Sequence, residues 1–402
     1  MIGRRGLPRL AASLLLIIST LAACSSAGGP ILANAPVVRP APAATPTSIP
    51  HPADPQPLAF PRDDGPHDRL TEWWYYTGHL VTAEGHRYGF EYVIFRAERG
   101  PLPVTWASHL ALTDETGGTF HYAQRSEVGP QVDGSPRDGG GVPTGFALAI
   151  AATDASGAPR AGPAWTMAGG GGRDHLAASL GPSEASSAGL PGGLALDLDL
   201  AATKPPALHR GIGWIDLGPG GSSYYYSRTH LTASGSLDLA GRSVQVTGQA
   251  WFDHQWGDFI AVGAGGWDWF AVNLADGTDL TLSLVRDASG GYPLAYGTLV
   301  RPDGSTVALE RSAFTVTTRG LWTSPHSGAV YPAGWTIGLP AEDLAIDLRP
   351  TVADQELDTR STSGVVYWEG SQVVRATRAG RPLGGEAYVE LTGYAPRVPV
   401  KQ

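Results

Sequence analysis

Strand-like alternation is the feature that most limits how this 402-residue chain can fold. Between residues 88 and 96, Tyr88, Phe90 and Tyr92 share one face while Glu91 and Val93 take the other, which is the pattern of a half-buried strand. Similar runs occur at residues 80–81, 106–113, 194–202, 243–252, 268–274, 280–285, 296–300, 344–348 and 387–391. Asp-Gly pairs at 276–277 and 303–304 predict hairpin turns, and long helical patterns are nearly absent. The sequence therefore predicts an all-β sandwich or barrel, and closure into a barrel would remove exposed strand edges.

The first 58 residues predict a targeting signal and a tether. Residues 1–9 carry three arginines and no acid, and the apolar run that follows is shorter than a membrane-spanning helix needs. The run ends in LAAC, which resembles a lipobox, and Cys24 is the only cysteine of the chain. We therefore predict a lipoprotein signal peptide over 1–23, a lipid anchor on Cys24 and a disordered Pro/Ala/Ser-rich tether over 24–58. The alternative is a soluble secreted protein cut at a nearby small residue.

Either processing route predicts a protein that works outside the cytoplasm, in the periplasm or at the cell surface, and the lipid anchor would hold it at the membrane. With one cysteine there is no intramolecular disulfide, so packing must supply the stability. The 42% hydrophobic residues are enough for a large core, and the glycine-rich intervals 132–141 and 169–172 predict surface loops.

Composition and missing motifs exclude several functions. The formal net charge is −9 and no basic cluster follows the signal peptide, so nucleic acid is not an expected partner. The sequence contains no G-x-S-x-G nucleophile elbow, no Walker loop and no dinucleotide fingerprint. Hydrolase, kinase and dehydrogenase activities therefore have no support.

A collinear set of motifs resembles the AttH-like and carotenoid 1,2-hydratase family. These motifs are FPRDDGPH (60–67), EWWYYTGHL (72–80), SHLALTD (108–114), YYSRT (225–229), WFDHQWGD (251–258), WDWF (267–270), YPAGW (331–335), YWEG (367–370) and AYVELTGY (387–394). The resemblance implies two tandem lipocalin-like β-barrel domains, which we place at 59–258 and 259–402, and no metal or organic cofactor. Members of the family include hydratases that add water to an isoprenoid double bond, and others are encoded near predicted ABC-type export systems.

WFDHQWGD is the strongest candidate for a reaction site. Hydration of an isolated alkene requires an acid in an apolar pocket and aromatic faces to stabilise the cation that forms. The resemblance places the proton donor at Asp253, with His254 beside it and Tyr226 able to orient the acid or the water. The aromatic residues that could line the substrate site are Trp74, Tyr76, Trp251, Trp256, Trp267 and Trp269. In the strand that contains Trp74, even- and odd-numbered residues face opposite ways, so only one set can line a cavity.

The same residues have structural interpretations. Asp253 and His254 could form a buried hydrogen-bonded pair, and Glu72 could pair with Arg96 at a barrel-closing corner. This sequence also has Trp251 where the resembling hydratases carry tyrosine, and three tyrosines at 224–226 where they carry histidine and tryptophan.

Polar residues of the other motifs are more readily explained as structural. His79 and His109 lack the spacing of a metal site and are expected to be hydrogen-bonded core histidines. Glu369 and Glu390 are expected to fix strand pairing.

Two functions follow from the sequence and remain open. One is a cofactor-independent hydratase acting on an isoprenoid or other polyene. The other is a non-catalytic lipocalin-like protein that binds an apolar small molecule at the membrane surface, with an ABC transporter as a partner.

Overall fold

A computed structural model describes residues 53–151, 162–259 and 265–396. The predicted signal peptide, Cys24 and most of the predicted tether lie outside these residues. The first described sheet contains β1 Thr71–Thr82, β2 Arg87–Ala97, β3 Thr105–Asp114, β4 Thr119–Val128, β5 Phe146–Ile150, β6 Trp165–Gly170, β7 Arg173–Ser179, β8 Leu194–Ala202, β9 Ala207–Leu208, β10 Trp214–Asp216, β11 Gly221–Leu239 and β12 Arg242–Phe259.

The second part of the chain forms another sheet and a small hairpin. The sheet contains β13 Gly266–Leu274, β14 Asp279–Arg286, β15 Leu294–Val300, β16 Thr306–Glu310, β17 Thr315–Thr318, β20 Trp335–Leu339, β21 Leu344–Pro350, β22 Glu356–Asp358, β23 Val366–Arg378 and β24 Arg381–Thr392. The hairpin pairs β18 Leu321–Thr323 with β19 Val330–Pro332. Within the described ranges, the one α-helix is α1, Pro182–Ser187, and none of the helices is long and apolar enough to cross a membrane.

The first sheet is a nearly closed antiparallel barrel whose strand order runs β4-β3-β2-β1-β12-β11-β8-β7-β6-β5. Its edges, β4 and β5, are brought together by Arg125 of β4. The Arg125 guanidinium donates to the carbonyl oxygens of Ile150 and Ser179 at 3.3 and 3.1 Å and to the two carboxylate oxygens of Glu184 at 2.7 and 2.9 Å. It also lies 4.4 Å from the centre of the Trp165 ring. One buried arginine thus closes the seam that the backbone ladder leaves open.

Replacing Arg125 by alanine should lower the free energy of unfolding by about 3–5 kcal/mol, because it removes a buried charge pair and leaves the carbonyl oxygens of Ile150 and Ser179 without the Arg125 donor. Chemical denaturation of the purified protein measures this change. Arg137→Ala is the control, since Arg137 is half-exposed and its ion pair with Asp133 is long, at 3.8 Å. This variant should lower the free energy of unfolding by less than about 1 kcal/mol. Equal losses in the two variants would contradict the role of Arg125 at the seam.

The second sheet is also nearly closed, with the order β16-β15-β14-β13-β24-β23-β21-β20-β17. Its edge strands β16 and β17 follow each other in the chain and are joined by the short turn Arg311–Ala313. The predicted hairpin turns are confirmed, because residues 276–277 connect β13 to β14 and residues 303–304 connect β15 to β16. The result is an all-β chain with two lipocalin-like barrels in tandem.

Apolar side chains form a buried core in each barrel. The first interior contains Trp74, Tyr76, Phe90, Trp106, Trp165, Phe252 and Trp256. The second contains Phe270, Tyr331, Trp335, Ile337, Trp368 and Val389. A third buried cluster lies between the barrels and consists mainly of Tyr75, Val93, Phe95, Trp251, Trp269 and Tyr388. Strands such as β1 and β12 are therefore buried on both faces, one against the barrel interior and the other against the second barrel.

Candidate functional site

Strand alternation divides WFDHQWGD between two environments. Asp253, Gln255 and Trp251 point from β12 into the space between the barrels. Phe252, His254 and Trp256 point into the first barrel, where the His254 ring stacks on Trp74 with centroids 4.7 Å apart. In the paired strand β1, Tyr75 lies opposite Asp253 and Trp74 lies opposite His254. The motif therefore lines the space between the barrels on one face of β12 and the core of the first barrel on the other face.

The inter-barrel cavity has a volume of about 70 Å³, several times the space that one water molecule needs. Three carboxyl groups line it, those of Glu91, Asp253 and Glu390. The aromatic side chains that line it are Trp73, Tyr75, Phe95, Tyr225, Trp267, Trp269, Tyr296 and Tyr367. Trp73, Trp267, Leu217 and Glu390 are half-buried, so the cavity opens on their side.

Asp253 lies at the closed side of this cavity and accepts three side-chain hydrogen bonds. The hydroxyl groups of Tyr225 and Ser227 donate to its two oxygens, and the Trp251 indole donates to Oδ1 at 2.7 Å. Burial raises the pKa of Asp253 to about 6, while the three donors favour the carboxylate and limit the rise. Asp253 is therefore a buried carboxylate that takes up a proton in mildly acidic conditions.

A chain of hydrogen bonds extends from Asp253 to the second barrel. Because the Ser227 hydroxyl donates to Asp253, its Oγ accepts from Nε2 of His209 at 2.8 Å, and Nδ1 of His209 then accepts from the Thr298 hydroxyl at 2.9 Å. Burial lowers the pKa of His209 to about 3, so the ring is neutral. Thr298 belongs to β15, and the chain thus fixes the Ser227 hydroxyl between the two barrels.

Glu390 is the carboxyl group of the second barrel that faces the cavity. The Trp267 indole donates to its Oε2 at 2.9 Å, and the side chain is half-buried at the open side. Burial, opposed by the Trp267 hydrogen bond and assisted by the negative charge of Asp253, raises the pKa of Glu390 to about 7. The pKa values of the two carboxyl groups therefore permit one to be ionised while the other keeps its proton.

Two more buried carboxyl groups surround the same space. The Tyr367 hydroxyl donates to Oε1 of Glu91 at 3.0 Å, and the Tyr75 hydroxyl donates to Oε1 of Glu369 at 2.7 Å. Oε2 of each glutamate is buried without a hydrogen-bond partner. Burial raises the pKa of both carboxyl groups well above the usual range and so favours their protonated forms. The surroundings of the cavity thus favour proton-bearing carboxyl groups.

Some of the sequence-predicted site residues lie at this cavity. Asp253, Trp267 and Trp269 line it, and Trp251 and Glu369 contact residues that do. His109 lies just behind it, where its Nδ1 is 2.8 Å from the Tyr367 hydroxyl, and burial lowers its pKa to about 3.

The remaining predicted substrate and catalytic residues lie elsewhere. Trp74, Tyr76, Trp256, His254 and Tyr226 point into the first barrel. Tyr226 donates to Oδ1 of Asp64 at 2.5 Å, an oxygen that also accepts from Arg228 at 2.7 Å. The structure therefore separates Asp253 from both His254 and Tyr226, because neighbouring residues of a strand face opposite ways.

Glu72 does not pair with Arg96, as the sequence suggested, but with two histidines. Glu72 lies opposite Arg96 in the β1–β2 pairing, but its Oε1 is 2.8 Å from Nδ1 of His67 and 2.9 Å from Nε2 of His254. Arg96 instead donates to the carbonyl of His67 at 2.7 Å and to Glu98.

His79 is a hydrogen-bonded histidine at the contact between the barrels. Its Nδ1 lies 2.7 Å from Glu115, and its Nε2 lies 3.1 Å from the carbonyl oxygen of Ala387 in β24. This placement agrees with the core role expected from the sequence.

Glu390, Glu91 and Tyr225 were not predicted as site residues. Glu390 was expected only to fix strand pairing, and Tyr225 occupies the central position of the tyrosine run that drew attention to Tyr226. Strand pairing is the feature that points to Tyr225. This residue lies opposite Gln255, which is two residues after Asp253 and on the same face of β12. Nothing in the sequence shows that Glu390 of β24 reaches the same cavity as Asp253.

The fold and site together define a class of protein with two tandem lipocalin-like barrels and an acid-containing aromatic cavity between them. The chain belongs to the AttH-like family, whose sequence model matches residues 51–394. The crystal structure of an AttH candidate from Nitrosomonas europaea is similar, with 29% identity, a TM-score of 0.67 and coverage of 86% of this chain and 100% of that one. No curated protein sequence is significantly similar.

Two further structures share the fold at lower identity. Kievitone hydratase from Nectria haematococca has 15% identity and a TM-score of 0.61 over 84% of this chain and 94% of that one. CghA bound to Sch210972 has 14% identity and a TM-score of 0.53 over 81% and 89%. At these identities the similarity establishes the fold alone, and this fold is one that a hydratase uses.

Proposed function

We propose that the protein is a cofactor-independent hydro-lyase that adds water to a double bond of an isoprenoid or other apolar polyene. The observation that supports this activity best is the pair of carboxyl groups, Asp253 from one barrel and Glu390 from the other, at one aromatic cavity. Their pKa values of about 6 and about 7 allow one to be ionised while the other keeps its proton.

Glu390 is the better proton donor of the two. Its pKa is the higher one, and of its two oxygens only Oε2 accepts a hydrogen bond from Trp267. Asp253, which the sequence suggested as the donor, accepts three hydrogen bonds that favour its ionised form. We therefore assign the acid to Glu390 and the base to Asp253.

The reaction uses two proton transfers: Glu390 gives a proton to the double bond, and Asp253 takes a proton from the water that is added. The π electrons of the substrate double bond take the proton of Glu390, forming a C–H bond and leaving positive charge on the neighbouring carbon. The faces of Trp73, Trp267 and Trp269 stabilise that charge. A water oxygen then bonds to the cationic carbon while Asp253 takes one of its protons; solvent afterwards removes that proton from Asp253 and supplies one to Glu390, so both groups regain their starting states. The product is an alcohol, and the reverse sequence removes water.

Incubation with candidate polyene lipids in heavy-oxygen water tests this function. The full-length protein should give a product that carries one heavy oxygen, detected by mass spectrometry of organic extracts, and heat-denatured protein should give none. If the protein is taken from detergent-extracted membranes, the same preparation tests the proposed lipid anchor, because Cys24→Ser should move the protein to the soluble fraction.

Binding of an apolar ligand without chemical change is the second candidate. It is supported by the three hydrogen bonds to Asp253, which also suit a structural carboxylate. The aromatic cavity that Asp253 lines lies between the two barrels, so the ligand would bind there. Ligand recovered unchanged, with no heavy oxygen, would favour this function and transfer of the ligand to a partner such as an ABC transporter.

A further inference from the structure

Two histidines and a glutamate meet inside the first barrel, on the face of β1 and β12 that points away from the cavity. His67 precedes β1, Glu72 lies in β1 and His254 lies in β12. Nδ1 of His67 and Nε2 of His254 lie 2.8 and 2.9 Å from Oε1 of Glu72. One nitrogen or oxygen from each residue falls within 4.8 Å of the others, the one such triad found in the described part of the chain. We call these three residues the His67 triad.

Packing fixes both imidazole rings of the His67 triad. His67 stacks on Trp256 with centroids 3.9 Å apart and planes inclined by 3°, and His254 lies 4.7 Å from Trp74 and 4.6 Å from Trp256. Nε2 of His67, the nitrogen that points away from Glu72, lies 3.5 Å from Oδ1 of Asp63. A carboxylate behind a ligating imidazole is a recurrent outer-shell arrangement in metal sites, because it fixes the ring and its tautomer.

We propose that His67, Glu72 and His254 bind one divalent transition-metal ion of the Zn²⁺ class. Two imidazole nitrogens and one carboxylate oxygen are a ligand set that Zn²⁺ accepts, whereas Mg²⁺ and Ca²⁺ prefer oxygen ligands. Three protein ligands leave a fourth tetrahedral position for water or another small ligand.

Metal entry requires a small rearrangement of the His67 triad. Ligand atoms around tetrahedral Zn²⁺ lie roughly 3.3 Å apart, since each is about 2.0–2.1 Å from the ion. The nitrogen–oxygen distances of 2.8 and 2.9 Å therefore have to open by about 0.5 Å while the ion replaces the hydrogen-bonding protons. His67 has a side-chain exposure of 20%, against 0% for Glu72, so the ion can enter from its side.

The bound ion would have a structural effect that does not depend on the proposed hydro-lyase activity. His67 belongs to the segment before β1, and Glu72 and His254 belong to neighbouring strands, so one ion would cross-link three parts of the barrel. Ion binding should therefore stabilise the folded chain against unfolding.

Titration of the chelator-treated, full-length protein with ZnCl₂ tests the proposal. Calorimetry should show one Zn²⁺ per chain, thermal unfolding should shift to higher temperature, and Co²⁺ in place of Zn²⁺ should give visible absorption bands of a tetrahedral site. His67→Ala should lower Zn²⁺ affinity at least tenfold and remove the Co²⁺ bands, because it deletes a ligand on the half-buried side. Asp63→Asn keeps all three ligands and should lower affinity about 10–100-fold.

His86→Ala is the matched control, because His86 is also half-buried and lies 2.7 Å from one carboxylate, that of Asp114. It should leave the stoichiometry and the Co²⁺ spectrum unchanged. Absence of stoichiometric Zn²⁺ binding by the unmodified protein would overturn the proposal without any variant. Equal binding by His67→Ala and the unmodified protein would place the ion elsewhere and overturn it as well.

Discussion

Replacing Glu390 by glutamine should lower turnover of a hydrated polyene about 10²–10⁴-fold, the usual contribution of a positioned general acid. Glutamine has the shape of glutamic acid, and its carbonyl oxygen can still accept the Trp267 hydrogen bond. Ligand affinity should therefore change little. Turnover measured beside ligand binding distinguishes a lost proton donor from a damaged cavity.

The pH dependence of turnover gives an independent test of Glu390. In the unmodified protein, turnover should fall above about pH 7, because the pKa of Glu390 is raised to about 7 and the ionised form has no proton to donate. The residual turnover of Glu390→Gln should lack this alkaline limb. Glu386→Gln is the control on the same face of β24, since Glu386 pairs with Arg87 and does not line the cavity. Wild-type turnover in Glu390→Gln would exclude Glu390 as the acid.

The strands of this protein were largely predictable, because alternation and turn chemistry act locally. The run that begins at Tyr88 lies in β2, and residues 194–202 coincide with β8, whose burial alternates along its length. Residues 132–141 lie between β4 and β5, as that glycine-rich interval predicted, whereas Gly169 and Gly170 end β6 and only residues 171–172 form the turn to β7. The limits of the two domains stay predictions, and the described strands of the two sheets end at Phe259 and begin at Gly266.

The face of each strand that lines the site could not be predicted in the same way. In β1, only Trp73 and Val81 are less than fully buried, because the second barrel covers the outer face that would otherwise meet water. Both faces therefore carry large apolar residues, and the usual contrast between an apolar and a polar face is lost. Trp74 and Tyr76 were consequently as plausible for the cavity as Trp73 and Tyr75, which line it.

Glu390 could not be predicted as a site residue for a different reason. It lies 137 residues after Asp253, and the two carboxyl groups share a cavity only because the second barrel packs against the first, where β24 contacts β1. Contact between barrels depends on how two folded surfaces fit, which is not encoded in local periodicity. The resemblance to hydratases therefore led to the Asp253 motif, whereas only the structure places an acid of higher pKa beside it.

Replacing Asp253 by asparagine should also lower turnover about 10²–10⁴-fold, because asparagine cannot take a proton from the attacking water. In the unmodified protein, turnover should fall below about pH 6, since the pKa of Asp253 is raised to about 6 and its protonated form is no base. The variant should lose this acidic limb and keep the alkaline limb of Glu390. The two variants together would assign the two limbs of a bell-shaped profile to separate residues.

Asp253→Asn differs from Glu390→Gln in its effect on stability. Asparagine presents an amide NH₂ to Tyr225, whose hydroxyl oxygen already accepts from Trp269 at 3.0 Å and whose own proton loses its acceptor. One buried donor without a partner costs about 1–3 kcal/mol. Asp258→Asn, at the exposed end of β12, is the control and should leave both turnover and unfolding nearly unchanged. A destabilised Asp253→Asn that retains turnover and its acidic limb would show that Asp253 holds the barrels together and takes no part in proton transfer.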